Sequence, residues 1–157
     1  MTELQQQFRD AMARVPAPVT VITTMDSDGS PQGTTVSAFA SLSITPPMVI
    51  FALDNRGVMK DRIAASGRCG VNILSGDQAH TASVFARPGD RFSGVDWKLT
   101  DGVPELDGVA SFLCCDKLQF LPGGDHTIVL AEVASAHSYG DQSLSYHLRA
   151  FHGVPHA

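Results

Sequence analysis

The sequence predicts a mainly β protein, an antiparallel barrel or sandwich with short helices. Six or more segments have strand-like patterns, and only short helical segments lie between them. Strands and helices do not alternate regularly, which disfavours a doubly wound parallel sheet. The chain shows neither an internal repeat nor a low-complexity tract, so we expect residues 1–157 to form a single domain.

The first predicted element is an amphipathic helix close to the N-terminus. Leu4, Phe8, Ala11 and Met12 recur at helical spacing, and Pro16 follows them. Because proline disrupts a helix interior, we expect the helix to end before this residue.

Strand patterns dominate the rest of the chain. The Asp28-Gly29 dipeptide predicts a hairpin turn after the first strand. The predicted strands cover residues 19–25, 33–43, 48–53, 69–74, 111–121, 126–137 and 144–147.

Two short helices and a long loop complete the predicted elements. One helix is expected over residues 57–65, and a Ser75–Gln78 capping box begins another that runs to Phe85. Residues 88–107 are dense in Gly, Asp and Pro, which predicts a loop.

The composition excludes several functions. The chain carries 16 acidic and 11 basic residues, a formal net charge of −5, and contains no basic run. A nucleic-acid-binding protein needs a basic surface, and electrostatic attachment to a membrane needs clustered Lys and Arg. We therefore expect no nucleic-acid partner and no membrane association.

The cysteines indicate a reducing compartment. Cys69, Cys114 and Cys115 are odd in number and form no CxxC pair. Adjacent Cys114 and Cys115 point to opposite faces of a strand and seldom bridge each other, so we expect reduced thiols. Since the N-terminal segment also lacks the apolar run of a signal peptide, we expect a cytoplasmic location.

Residues 33–43 form the first candidate binding surface. Thr35, Ser37, Ser41 and Ser43 share one strand parity. Small hydroxyls with main-chain amides suit an uncharged planar ligand or its phosphate. A half-exposed strand with its hydroxyls in water explains the same pattern, and composition alone favours that interpretation.

The second candidate is the turn Gly123-Gly124-Asp125-His126, which precedes a predicted strand. A histidine at the start of a strand lies at the rim of a barrel, where binding residues collect. A turn capped by Asp125, with His126 simply on the surface, is the alternative.

The remaining patterns exclude more than they suggest. No dinucleotide-binding glycine motif, phosphate-binding loop or hydrolase nucleophile elbow is present. Asp90-Arg91-Phe92 and Trp97 either cover a pocket as a lid or bury two aromatic rings under a loop. His152 and His156 are expected in a frayed tail. The histidines have no metal-ligand spacing, so we expect no metal site; they are His80, His126, His137, His147, His152 and His156.

Several segments match one known family in their order and spacing over nearly the whole chain. They are residues 8–12, 19–24, 33–43 with Pro46-Pro47, 71–74, Phe85-Ala86, Asp90-Arg91-Phe92, and 124–128 with Glu132-Val133. Each segment is weak by itself. Together they resemble the flavin reductase family, the small component of two-component flavin-dependent monooxygenases.

The resemblance implies a fold and an activity. The fold is a six-stranded antiparallel Greek-key split barrel with short flanking helices, which works as a homodimer. The activity is transfer of hydride from NADH or NADPH to FMN or FAD. The reduced flavin then passes to a separate monooxygenase.

The resemblance also implies a site. Residues 34–41 would face the flavin, and His126 would lie near the stacked nicotinamide. Residues 54–56 would approach the phosphate, where Arg56 or Lys60 replaces the Ser or Thr that the family often has nearby. The residues assigned to cofactor binding are Thr34, Thr35, Val36, Ser37, Ala38, Phe39, Ser41, Asp54, Asn55, Arg56, Lys60, Asn72 and Phe92, and His126 is the catalytic residue.

Two other functions stay open at this stage. A flavin-binding module or electron carrier with the same barrel needs no nicotinamide site, so the Gly124-Asp125-His126 motif favours the reductase. A pyridoxamine-phosphate-oxidase-like enzyme needs a stronger cluster of Arg and Lys than this chain has. The sequence does not distinguish FMN from FAD, or NADH from NADPH.

Overall fold

The computed structural model describes residues 1–155, so His156 lies outside the described residues. The helices are α1 (Glu3–Met12), α2 (Met59–Ser66) and α3 (Ala79–Phe85). Over these 155 residues, no helix has the length and apolar character needed to cross a membrane. The strands are β1 (Ala17–Pro18), β2 (Thr20–Met25), β3 (Pro31–Val36), β4 (Phe39–Ile44), β5 (Pro47–Asp54), β6 (Cys69–Ile73), β7 (Trp97–Thr100), β8 (Val103–Leu106), β9 (Ser111–Gly123), β10 (His126–Ser138), β11 (Ser143–His147) and β12 (Ala150–Val154).

The main sheet has seven strands in the order β3-β2-β6-β9-β10-β5-β4, and neighbouring strands are antiparallel. Its two edge strands, β3 and β4, are consecutive in the chain and are separated only by Ser37 and Ala38. The chain itself therefore joins the two edges and closes the sheet into a barrel. Counted with β3–β4 as one bent strand, the barrel has six strands, and the predicted fold class is confirmed.

The predicted single strand over residues 33–43 is wrong, because the chain bends at Ser37 and Ala38. A bulge against β5, between Ser41 and Ser43, shifts the register again. The Thr35 hydroxyl donates to the Ala82 carbonyl of α3 at 2.7 Å, whereas Ser41 lies exposed on β4. The four hydroxyls therefore do not share the single face that strand parity predicted.

Two regions predicted to be irregular contain strands. The loop over residues 88–107 includes the β7–β8 hairpin, which turns at Asp101-Gly102, where both residues have positive φ. All four residues of β8 are buried against the barrel. His152 lies in β12 and pairs with Ser145 of β11, so this part of the tail is not frayed.

Helix α3 begins later than its capping pattern predicted. The Gln78 side chain accepts a bond from the Ser75 N–H at 3.0 Å, which is half of a capping box. The Ser75 hydroxyl instead donates to Asp77 at 2.6 Å, and the helix starts at Ala79.

The hydrophobic core lies on both sides of the central strands. One cluster, which includes Ile22, Phe51 and Cys115, fills the barrel. The other, which includes Phe85 and Cys114, packs between the barrel, α3 and β8. Adjacent Cys114 and Cys115 thus face opposite sides, as strand alternation predicts, and both are free thiols.

Candidate active site

A cavity of about 720 Å³ opens at one end of the barrel. Its walls come from β3, the end of β5, the first turns of α2 and the loop over residues 88–93. The volume lies within the range of small-molecule sites, about 300–1,000 Å³. Barrel closure brings together three stretches that are far apart in the sequence, within residues 30–34, 53–62 and 88–93.

Three of the residues assigned to cofactor binding line this cavity. Thr34 comes from β3, Asp54 from the last position of β5, and Phe92 from the loop. The Phe92 ring packs edge-on against Phe85 and Trp97, with centroid distances of 5.0 and 5.8 Å. Phe92 is half-buried and walls the cavity, whereas Trp97 lies exposed, so the loop does not bury both aromatic rings.

Gly33 allows the loop to lie close against β3. A Cβ atom at this position would come within 2.8 Å of the Phe85 ring and 3.4 Å of the Phe92 ring. Arg91 donates from Nη1 to the Gly33 carbonyl at 2.6 Å, and Asp90 accepts from the Phe92 N–H at 3.1 Å. These contacts fix the loop as a wall of the cavity.

The two rim segments singled out in the sequence form one continuous surface. His126 of β10 pairs directly with Asp54 of β5 in the antiparallel ladder. The Asn55 N–H donates to the Asp125 carbonyl at 3.0 Å, and the Thr127 hydroxyl donates to Asn55 Oδ1 at 2.6 Å. The Gly-Asp-His turn therefore lies beside the cavity, next to Asp54.

An ion pair with Arg56 and a hydrogen bond with His126 engage the two carboxylates of this rim. Arg56 donates from Nε and Nη2 to the Asp54 carboxylate, at 3.0 and 2.5 Å. Hydrogen bonds from Arg56 hold the pKa of Asp54 well below its usual range. The hydrogen bond with His126, whose Nδ1 lies 2.7 Å from Asp125 Oδ1, likewise lowers the pKa of Asp125. An ionised Asp125 carboxylate can only accept a hydrogen bond, so Nδ1 of His126 is the donor in the bond between them. The other ring nitrogen, Nε2, is not engaged by Asp125.

Several other assigned residues lie outside the cavity. Ser37, Ala38 and Phe39 line a separate apolar groove beside the chain that follows α1. Thr35 and Ser37 also border a smaller cleft against α3 and the β11–β12 hairpin. Lys60 on α2 and Ser41 on β4 do not line the 720 Å³ cavity.

Two assigned side chains are engaged within the fold. Val36 is 7% exposed and packs in the barrel core. Asn72 is fully buried, donates to the Val21 carbonyl at 3.1 Å, and accepts from the Leu106 N–H at 2.8 Å. Its polar atoms join β6 to β2 and β8, so Asn72 is a structural residue.

The sequence pattern did not assign to cofactor binding the two arginines that line the cavity, Arg62 and Arg91. Arg62 is the fourth residue of α2, and Arg91 lies in the loop beside Phe92. The signal available for Arg62 was its position on the helix predicted over residues 57–65, which also carries Lys60. An aromatic wall, a glycine-lined strand and two guanidinium groups fit a planar ring system that carries a phosphate.

A closed antiparallel barrel with a ligand-sized cavity at its rim defines a small-molecule-binding β-barrel protein. Residues 12–155 match the family described as flavin reductase like domain, and the chain belongs to this family. The resemblance drawn from the sequence is therefore confirmed.

Three similar proteins illustrate the family. The reductase component of a flavin-dependent trigonelline monooxygenase from Acinetobacter baylyi is 32% identical over 93% of this chain and 48% of its own length. An FMN reductase (NADH) from Agrobacterium fabrum is 33% identical over 88% of this chain and 80% of its own. The structure of a Streptomyces globisporus NADH:FAD oxidoreductase, in complex with NAD and FAD fragments, superposes with a TM-score of 0.88. It is 32% identical, and the match covers 94% of this chain and 90% of that one.

The relatives differ in length. This chain spans about half of the Acinetobacter protein, 48%, and of a Rhizobium meliloti relative, 45%.

Proposed function

We propose that this chain is an NADH-dependent flavin reductase that reduces FMN or FAD and supplies the reduced flavin to a separate monooxygenase. The observation that carries the proposal is the position of the Gly124-Asp125-His126 turn, which lies next to Asp54 of the cavity wall. A protein that only stored flavin would have no need of a second binding surface at this place. NADPH is the alternative hydride donor.

Transfer of hydride from a nicotinamide to a flavin does not require an acid–base dyad from the protein. A reduced nicotinamide and a flavin supply the hydride chemistry themselves, so the protein provides binding and orientation. Thr34 and the Phe92 ring wall the space for a flavin, and main-chain amides of β3 lie beside it. Ionised Asp125 holds the His126 ring, whose side chain is 41% exposed, with Nε2 available to a nicotinamide carboxamide or phosphate.

The experiment that tests the proposal separates binding from reduction. The protein is mixed anaerobically with FMN, NADH is added, and the flavin absorbance is followed. A reductase bleaches the flavin at a rate that depends on protein concentration. A flavin carrier binds FMN but leaves the bleaching at the rate of the free reagents, and that result would refute the proposal.

We also propose that two copies of the chain form a homodimer. Helix α1 has no buried residue, and its apolar side chains Leu4 and Phe8 are 73% and 62% exposed. The helix is continuous with an apolar groove that Met12 and Ala40 line. Contiguous apolar surface of this kind marks an interaction site. A second copy of the chain would bind this surface in the homodimer.

The remaining parts of the proposal concern the chain's surroundings. We place it in the cytoplasm as a single domain over residues 1–157, where its cysteines stay reduced. Its macromolecular partner is the monooxygenase component, in keeping with the Acinetobacter relative's name.

A further inference from the structure

We propose that Thr127 and Asn55 are positioning residues that hold His126 in place for the nicotinamide. The inference rests on the proposed function, in which the His126 ring meets the reduced nicotinamide. It gives a role to Thr127, which was not among the assigned site residues, and a different role to Asn55, which the resemblance assigned to the flavin. Neither residue lines the 720 Å³ cavity.

Thr127 is a polar residue at a position of β10 that faces the barrel interior. It shares its strand parity with Val129 and Ala131, which belong to the core cluster inside the barrel, and it is 8% exposed. A valine would continue this apolar pattern with the same shape. The Thr127 hydroxyl donates to Asn55 Oδ1 at 2.6 Å. The hydroxyl therefore serves its hydrogen-bond partner rather than the packing of the core.

Asn55 connects this hydroxyl to the turn that precedes β10. Its N–H donates to the Asp125 carbonyl at 3.0 Å, and its Nδ2 donates to the Gly124 carbonyl at 3.5 Å. Asn55 directly follows Asp54, the last residue of β5, which pairs with His126 in the ladder. The backbone and the side chain of one residue thus fasten the turn to the end of β5.

The Asp125 carboxylate does not fasten the turn to the barrel. Its side chain is 90% exposed, and its 2.7 Å bond to His126 Nδ1 joins two adjacent residues of the same turn. This bond orients the imidazole relative to the turn, whereas the bonds of Asn55 orient the turn relative to β5. Strand alternation places the Thr127 side chain on the opposite face of β10 from His126, so Thr127 acts through Asn55.

The test measures the KM for NADH and the affinity for FMN in variants of this pair. Thr127→Val keeps the shape and removes the hydroxyl, which releases the Asn55 side chain. We expect the KM for NADH to rise about fivefold, kcat to change less, and the Kd for FMN, measured by quenching of flavin fluorescence, to stay within about twofold. Thr127→Ser restores a hydroxyl and should return the KM to within about twofold of that of the natural chain.

A second variant removes the acceptor of the same bond. Asn55→Ala changes an exposed residue, so the variant should fold even if Thr127→Val does not. We expect it to raise the KM for NADH by a similar factor, about fivefold, without a loss of FMN affinity.

A double-mutant cycle shows whether Thr127 acts through His126. His126→Ala removes the ring that the turn positions, so adding Thr127→Val to it should raise the KM for NADH by less than about twofold further. Independent effects would multiply instead. Thr24→Val is the matched control, because it removes another buried hydroxyl, which donates to the Arg68 carbonyl at 2.9 Å. Thr24 lies on β2, which β6 and β9 separate from β10, and its loss should leave the KM unchanged.

Hydrogen exchange gives a readout that does not depend on turnover. The Asn55 N–H is protected by its bond to the Asp125 carbonyl, so its exchange rate, followed by NMR, reports how firmly the turn is held. The exchange should be about fivefold faster in Thr127→Val than in the natural chain or in Thr127→Ser.

An unchanged KM for NADH in Thr127→Val, or the same fold-change with and without the His126 ring, would overturn the inference. A loss of FMN affinity in Asn55→Ala would also overturn it, because Asn55 would then hold the flavin. Conversely, faster exchange of the Asn55 amide in Thr127→Val, reversed in Thr127→Ser, in a protein that does not oxidise NADH would sustain the link to the turn and refute the reductase. The two proposals can therefore fail separately.

Discussion

Single residues at the cavity rim are held by short local bonds, and these bonds determine which groups are free for a ligand. Asp125 engages one nitrogen of His126, and Arg56 engages the Asp54 carboxylate. The sequence indicated His126 through its turn motif, because chain proximity to Asp125 is visible in the sequence. It did not indicate that β5–β10 pairing places Asp54 opposite His126, since register is set by the whole barrel.

The first prediction concerns His126. His126→Ala should raise the KM for NADH roughly tenfold and change FMN affinity much less, because His126 lies next to Asp54 of the cavity wall and its Nε2 is not engaged by Asp125. Steady-state kinetics and flavin titration measure the two effects. His80→Ala, at an exposed position on α3, is the control. Unchanged NADH kinetics with lost FMN affinity would assign His126 to the flavin instead.

The second prediction concerns the contact that places the loop against β3. Gly33→Ala puts a methyl group against the Phe85 ring, so the free energy of unfolding should fall by about 1–3 kcal/mol. Denaturation in urea measures this loss. At Gly140 a Cβ atom meets open space, and Gly140→Ala should leave the unfolding midpoint nearly unchanged. Similar midpoints for the two variants would show that the loop is not tightly packed there.

The third prediction concerns the pH dependence of stability. The pKa of Asp54 is lower in the folded chain than its unfolded value of about 3.9. The Asp54–Arg56 pair therefore stabilises the fold above that pH, and the contribution is lost as the pH falls through the folded pKa. Urea midpoints of the natural chain and Asp54→Asn should differ at neutral pH, and the difference should shrink progressively as the pH falls below about 4. A gap that widens on acidification would contradict the ion pair.

Secondary-structure elements were predictable where the apolar residues of a segment recur with a single helical or strand period along its whole length. The helix α1 and the strands β2, β5, β6, β9 and β10 follow from their patterns to within a few residues. The break between β3 and β4 could not be predicted, because only barrel closure requires Ser37 and Ala38 to turn the chain. The β7–β8 hairpin was missed because a Gly- and Asp-rich segment has the same composition as a loop.

The role of Asn72 follows from its hydrogen bonds to neighbouring strands, and the fourth prediction concerns these bonds. Asn72→Ala removes the bonds that join β6 to β2 and β8, so the unfolding free energy should fall by about 1–3 kcal/mol. FMN affinity, measured well below the thermal transition, should stay within about twofold. A stable variant that no longer binds FMN would restore Asn72 to the cofactor site.

At the scale of the whole molecule, the exposed face of α1 is the feature that a single chain does not explain. Sedimentation velocity should show a dimer at micromolar concentration, and Phe8→Glu should shift it toward the monomer because a charge enters the apolar contact. Gln6→Lys, on the opposite side of α1, should leave the dimer intact. A monomeric natural chain would refute the homodimer.

The central claim is that the cavity and the adjoining turn serve one reaction between a flavin and a reduced nicotinamide. The most direct test is steady-state oxidation of NADH and NADPH by the purified protein, with and without added FMN or FAD. We predict turnover that depends on added flavin and is faster with NADH than with NADPH. Tight flavin binding with no oxidation of either nicotinamide would leave the barrel as a flavin-binding protein and contradict the account.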